Sequence, residues 1–145
     1  MKKHEHGRGF SLIEVLVGLF LVGVAVIGLA QIFLVAVTNN LRADRVANAT
    51  FLAQQQIDWL RGFTLDELTA YAGTSLESRD EIIDLNLDGT NDFRRITEFH
   101  SIGDTFQVII HVYSAEKLGI SSPAALLADP DQYPARALIS TLITR

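Results

Sequence analysis

Cysteine is absent from the 145 residues, and tryptophan and methionine occur once each. Without cysteine there is no disulfide framework, no thiol nucleophile and no cysteine zinc site. Only three prolines occur, Pro123, Pro130 and Pro134, all in one stretch near the C-terminal end. Formal charge is missing altogether from Val15 to Leu41. Basic residues are outnumbered, 12 against 17 acidic, for a net charge of −5. Residues 1–9 carry Lys2, Lys3 and Arg8 against Glu5, or +2; without them 9 basic and 16 acidic residues remain, a net −7. Phosphate contacts need clustered Lys and Arg, so direct nucleic-acid binding is not expected. No G-x-S-x-G elbow, Gly-rich phosphate loop or H-E-x-x-H is present, and no enzyme is expected. His100 and His111 fall on expected strands as surface imidazoles, while His4 and His6 lie in the basic leader.

What is present begins with Gly9-Phe10-Ser11-Leu12-Ile13-Glu14, behind that leader. Residues 15–30 are all apolar or glycine, and after Gln31 the run resumes from Ile32 to Val37. About 20 helical residues span a bilayer core of about 30 Å, so this stretch is long enough to cross. Backbone groups in lipid must be satisfied internally, which makes it a helix. Gly18, Gly23 and Gly28 are spaced by five, which is not the small-residue pattern of close helix dimers. Lys2, Lys3 and Arg8 place the N-terminal end in the cytoplasm and the remainder outside. A cleaved secretory signal fits poorly, because Ala47-Asn48-Ala49 lies beyond the charges Arg42, Asp44 and Arg45. A plain signal-anchor explains the helix but not Glu14, whose charge within the bilayer costs about 2.5–3.5 kcal/mol unless partnered.

The order basic leader, glycine, Phe-Ser-Leu-Ile-Glu, apolar span resembles the class III signal of type IV pilins and type II secretion pseudopilins, matching at every position from Gly9 to Glu14. The resemblance implies that a prepilin peptidase cuts between Gly9 and Phe10 and N-methylates Phe10. It also implies that Glu14 pairs with the free amine of a neighbouring subunit during assembly. Residues 1–9 would be the cleaved leader, 10–37 the transmembrane assembly helix and 38–145 the exported domain. The implied setting is the inner membrane, single-pass, with a periplasmic C-terminal domain that later joins a filament. Implied partners are the prepilin peptidase, other pilin or pseudopilin subunits and the inner-membrane assembly platform. Ala53-Gln54-Gln55-Gln56-Ile57-Asp58-Trp59-Leu60-Arg61 is similar to the helix end of PilV-type minor pilins and of the similar secretion minor pseudopilins. By that resemblance, the absence of an apolar-helix proline and of a C-terminal cysteine pair favours a minor subunit or a pseudopilin over a major pilin. The expected function is a minor type IV pilin; the sibling reading is a minor pseudopilin of a type II secretion system.

Beyond the anchor, Val46, Ala49, Ala53, Ile57 and Leu60 form a helical stripe, predicting one helix from Leu12 to about Arg61, with Gly62 as its stop. Thr64 with Glu67 reads as a capping box for a short helix carrying Leu65 and Leu68. Three strands are predicted, Phe93–Phe99, Thr105–Tyr113 and Ala137–Thr144, with a hairpin at Ser101–Asp104. Phe106, Val108, Ile110 and Val112 share one face, and Gln107, Ile109 and His111 the other. Ser122-Pro123 opens a short helix inside the proline-containing connection, which is expected to be functional or variable surface. The fold class is α+β and pilin-like: a long N-terminal helix packed on a small antiparallel sheet.

Asp84, Asn86, Asp88, Thr90 and Asp92 take positions 1, 3, 5, 7 and 9 of a calcium loop, with Gly89 at 6. Position 12, normally a bidentate glutamate, is Arg95, so Glu81 or Glu98 would have to substitute. A structural calcium is thus the one cofactor to weigh, and the competing reading is an acidic turn at Asp88-Gly89. A membrane-anchored, calcium-dependent binding module is the function of a different class.

Overall fold

The structure is a computed structural model and describes residues 11–73, 78–103, 105–120 and 122–144. Gly9, Phe10 and the rest of the leader lie outside the described residues. The elements in chain order are α1 (Leu12–Leu60), α2 (Leu65–Ala72), β1 (Arg79–Ile83), β2 (Phe93–Ile102), β3 (Thr105–Ser114), a 3-10 turn (Ala115–Lys117), α3 (Pro123–Ala128) and β4 (Ala137–Thr144). The chain divides into two units between Leu41 and Arg42.

In the first unit, α1 is apolar on all sides and buries nothing: every described residue from Ser11 to Leu41 is exposed. A helix apolar all round needs a non-aqueous surrounding. Its mean hydropathy reaches 2.7 over an 18-residue window, which is long and apolar enough to cross a membrane.

In the second unit, α1 becomes one-sided. It buries Ala49, Leu52, Ala53, Gln56, Ile57 and Leu60. Val46, expected on this stripe, is 44% exposed, because the buried face begins one turn later. The helix stops at Leu60 in a tight turn, with Gly62 N–H donating to Trp59 O (3.1 Å) and Phe63 N–H to Leu60 O (3.1 Å). Thr64 then caps α2 as expected: its N–H donates to the Glu67 carboxylate (2.7 Å) and its hydroxyl accepts from Glu67 N–H (3.3 Å).

The sheet is a fully antiparallel meander in the order β1-β2-β3-β4. One face, with Phe93, Phe99, Phe106, Val108, Ile110, Val112 and Ile143, packs on α1 and α2. β2 and β3 run further than expected, to Ile102 and Ser114, because only Gly103 (φ +61°) and Asp104 separate the closing pair Ile102–Thr105. Asp104 is outside the described residues. β1 was not expected: Arg-Asp-Glu-Ile-Ile is poor strand sequence, and it forms because β2 offers it matching charges across the ladder. The proline-containing connection is not merely surface. It folds over the second sheet face, where Leu126 of α3 packs on Ile96 and Tyr113 with Ile120 and Tyr133 around them.

Candidate functional site

The N-terminal feature starts from the backbone. Ser11 O accepts the first two helical hydrogen bonds, from Glu14 N–H (3.0 Å) and Val15 N–H (3.3 Å). Glu14 therefore sits in the first turn of α1, where the aligned peptide dipoles favour a carboxylate. Its neighbours are bare: Leu12 is 84% and Ile13 65% exposed. Among the described residues no cation pairs with Glu14. The turn presents a carboxylate beside exposed apolar side chains, without an ion-pair partner among the described residues.

The acidic loop between β1 and β2 is closed by its own hydrogen bonds. The Asp84 carboxylate accepts from Gly89 N–H (2.8 Å), Asn86 Oδ1 from Asp88 N–H (3.1 Å) and Asp92 Oδ2 from Leu85 N–H (3.0 Å). Asp88 Oδ1 accepts from Thr90 N–H (2.8 Å) and from the Thr90 hydroxyl. The hydroxyl bond is the main reason the Asp88 carboxyl is held below its usual value of 3.8. Gly89 takes φ +87°, and Leu87 takes φ +59°, a conformation a leucine rarely adopts. These residues are the ones expected to ligate calcium, and their side-chain oxygens are turned onto the loop's own N–H groups. One oxygen, Asp84 Oδ1, is shielded from solvent and has no hydrogen-bond partner.

The two acids that would have to replace the missing twelfth ligand are engaged elsewhere. Glu81 is clasped by the Arg95 guanidinium, and Glu98 lies 3.0 Å from His111 Nε2. Among the described residues, no three Asp, Glu or His side chains are gathered to hold a metal ion. The loop's own oxygens, the carboxylates of Asp84, Asp88 and Asp92 with the Asn86 amide and the Thr90 carbonyl, are of the kind that suits a hard cation.

The reason Arg95 replaces glutamate is structural. Alternation along β2 puts Phe93, Arg95, Thr97 and Phe99 on the face that packs against α1. From there Arg95 reaches Glu81 with two N–H groups and the Leu52 carbonyl of α1 with a third (3.2 Å). Its neighbour Arg94 faces the other way, donates twice to Asp80 (2.8 and 2.7 Å) and reaches the Ile120 carbonyl in the connection. The sequence singles out Arg95 only as the departure at the loop's twelfth position, and Arg94 not at all. The available signal was a pair of charges inside an otherwise apolar period-two strand.

Comparison with known proteins bears on the N-terminal part. Residues 6–30 match the family model described as the prokaryotic N-terminal methylation motif. No curated protein and no solved structure matches the chain significantly. The match takes in the end of the basic leader, Gly9 to Glu14 and the apolar run as far as Ala30, within a helix long and apolar enough to cross a membrane. With that motif leading a long helix whose second part packs on a four-stranded antiparallel sheet, the chain is type IV pilin-like, similar in both respects to the membrane-anchored pilins and pseudopilins that prepilin peptidase processes.

Proposed function

We propose that the chain is a minor type IV pilin, a structural subunit rather than an enzyme. Prepilin peptidase cuts it between Gly9 and Phe10 and methylates the new amine of Phe10. Residues 1–9 leave, residues 10–37 remain as the assembly helix, and residues 38–145 form the exported domain. Lys2, Lys3 and Arg8 hold the N-terminal end in the cytoplasm, leaving the C-terminal domain on the periplasmic side of the inner membrane until the assembly platform draws the subunit into a filament. The observation that carries this reading is a carboxylate, Glu14, in the first turn of an exposed apolar helix, four residues after Phe10 and without an ion-pair partner among the described residues. Cleavage would place an ammonium at the positive end of that helix, where it is disfavoured. The Glu14 carboxylate of an adjoining subunit offsets that charge, and the two charges compensate each other in low dielectric. The Gln-rich Ala53–Arg61 stretch and the lack of cysteine support a minor, PilV-type subunit.

The test is processing. Replacing Gly9 by tryptophan should leave the chain about 1 kDa heavier, still carrying residues 1–9, as read by mass spectrometry of membrane extracts. An intact Met1 on the wild-type chain, with the peptidase present, would refute the assignment. Cross-linking in membranes separates this reading from a minor pseudopilin: capture by secretion-system subunits rather than pilus subunits favours the latter.

A second reading concerns the loop Asp84–Asp92. The shielded, unpartnered Asp84 Oδ1 supports a cation there, with Asn86, Asp88, the Thr90 carbonyl and Asp92 as the other donors. Such an ion would hold the loop as part of a calcium-dependent binding module. Titration calorimetry of the detergent-solubilised chain should then show calcium binding at up to about millimolar dissociation constant, lost in Asp84→Asn. No heat at millimolar calcium overturns it.

A further inference from the structure

Trp59, in the last turn of α1, is 47% exposed. Its ring is nonetheless held in place: Phe63 meets it edge-on at 4.4 Å (64°) and Tyr71 at 5.2 Å (79°). Beside it lies a solvent-open cavity of about 320 Å³, lined by Gln55, Gln56 and Trp59 of α1, Glu81 of β1 and Arg95 of β2. Small-molecule sites run from about 300 to 1,000 Å³, so this one suits a compact ligand. A ring fixed beforehand also loses little freedom when a ligand stacks on it.

The polar wall is electrically balanced. Glu81 and Arg95 are register partners across β1 and β2 and pair with each other, so neither charge is left over to attract an ion. Hydrogen-bonding capacity does remain. Arg95 spends two N–H groups on Glu81 Oε2 and one on the Leu52 carbonyl, leaving two of its five. Among the described residues, neither Glu81 Oε1 nor the Gln55 side-chain amide has a partner. Gln56 is 4% exposed and donates to the Tyr71 hydroxyl (3.5 Å). The neighbouring aromatic rings are not a free cation site. Arg79 already lies over the Tyr71 ring (5.2 Å) and donates twice to the Tyr71 carbonyl.

We infer that this cleft binds a neutral saccharide. A pyranose ring carries an apolar face of C–H groups, slightly positive, which suits the negative face of an indole. Each of its hydroxyls both donates and accepts. Neighbouring hydroxyls therefore give a proton to Glu81 Oε1 and accept from the spare N–H groups of Arg95 and Gln55 at the same time. An anion would be repelled by Glu81 and a cation by Arg95. A purely apolar ligand would strip these groups of water and return no hydrogen bond. Phe51 extends the site along the helix. It stands two turns before Trp59 on the same exposed flank of α1, about 12 Å away, and is 56% exposed. A saccharide of more than one ring reaches from Trp59 toward it. The inference uses only the C-terminal unit and is independent of the processing reading.

Trp59 reports on its own site, because it is the single tryptophan. Full-length chain, in a detergent without a sugar headgroup, is titrated with cellobiose, lactose, mannobiose and chitobiose. Each is taken to about 10 mM, well above a millimolar dissociation constant. At least one should shift Trp59 emission saturably. For that disaccharide, calorimetry should show binding about fivefold weaker in Gln55→Ala, which deletes one hydrogen-bonding group and no contact within the unit. Gln54→Ala, its neighbour outside the cavity, should bind as wild type. Trp59→Ala should abolish the heat, and Trp59→Phe, which keeps an aromatic ring, should retain part of it. Circular dichroism should show each variant folded. The inference is overturned if none of the disaccharides shifts Trp59 emission or releases heat. It is equally overturned if Gln55→Ala binds as wild type, or if choline or sulfated lactose binds more tightly than the neutral sugars.

Discussion

Two adjacent arginines organise the C-terminal unit from opposite faces of one strand. Arg94 is 4% exposed at its side chain and Asp80 29%, joined by two parallel N–H bonds. The bond to Asp80 raises the Arg94 guanidinium's proton affinity, against the opposing effect of burial. A buried pair of this kind adds little net stability, yet losing one partner is costly because the other charge stays buried. Asp80→Ala should therefore destabilise the unit by about 3 kcal/mol in urea unfolding, followed through Trp59, the single tryptophan. The double variant Asp80→Ala/Arg94→Met should recover most of that loss, and failure to recover would mean that Arg94 acts through Ile120 instead. Neither partner was visible in the sequence. Asp80 and Arg94 are 14 positions apart, and nothing local marks the pairing of their strands.

At the level of elements, strong local signals were legible and weak ones were not. α1 was expected to end near Arg61 and ends at Leu60; β4 was expected and found at Ala137–Thr144. The Thr64–Glu67 capping box was readable because both its halves lie within one turn. Thr64→Ala removes the hydroxyl acceptor from α2 and should cost about 1 kcal/mol. Trp59 reports on it as well, since its ring lies 5.2 Å from that of Tyr71 on α2. An unchanged unfolding midpoint would show that Leu68 and Ala72, both buried, hold α2 without the cap. β1 escaped notice because Asp and Glu are depleted in strands and only β2 supplies its reason to form. The fate of the connection after β3 was equally hidden, since Leu126 acquires a buried partner set only once Ile96 and Tyr113 share a face.

Across the whole molecule the division of labour is between an apolar helical segment whose described residues are all exposed and a C-terminal unit that has its own core. Glu14 belongs to the first. Glu14→Ala removes a charge from an apolar run, so membrane insertion and removal of residues 1–9 should persist. Incorporation should fall, measured as the fraction of mature chain recovered in sheared filaments against membranes. Normal incorporation would assign the carboxylate to the membrane interface alone. The N-terminal programme of leader, Gly9, Phe10, Glu14 and apolar span was determined by the sequence itself, because its parts are contiguous and each follows from charge or hydropathy in fixed order. So was the α+β class, since period 3.6 and period 2 are local patterns. Tertiary structure alone decided which strand is added at the β1 edge, why Arg95 stands where a calcium loop would carry glutamate, and which edge is left open at β4. Those outcomes depend on residues brought together from distant positions, and chain order does not encode which face or edge each will meet.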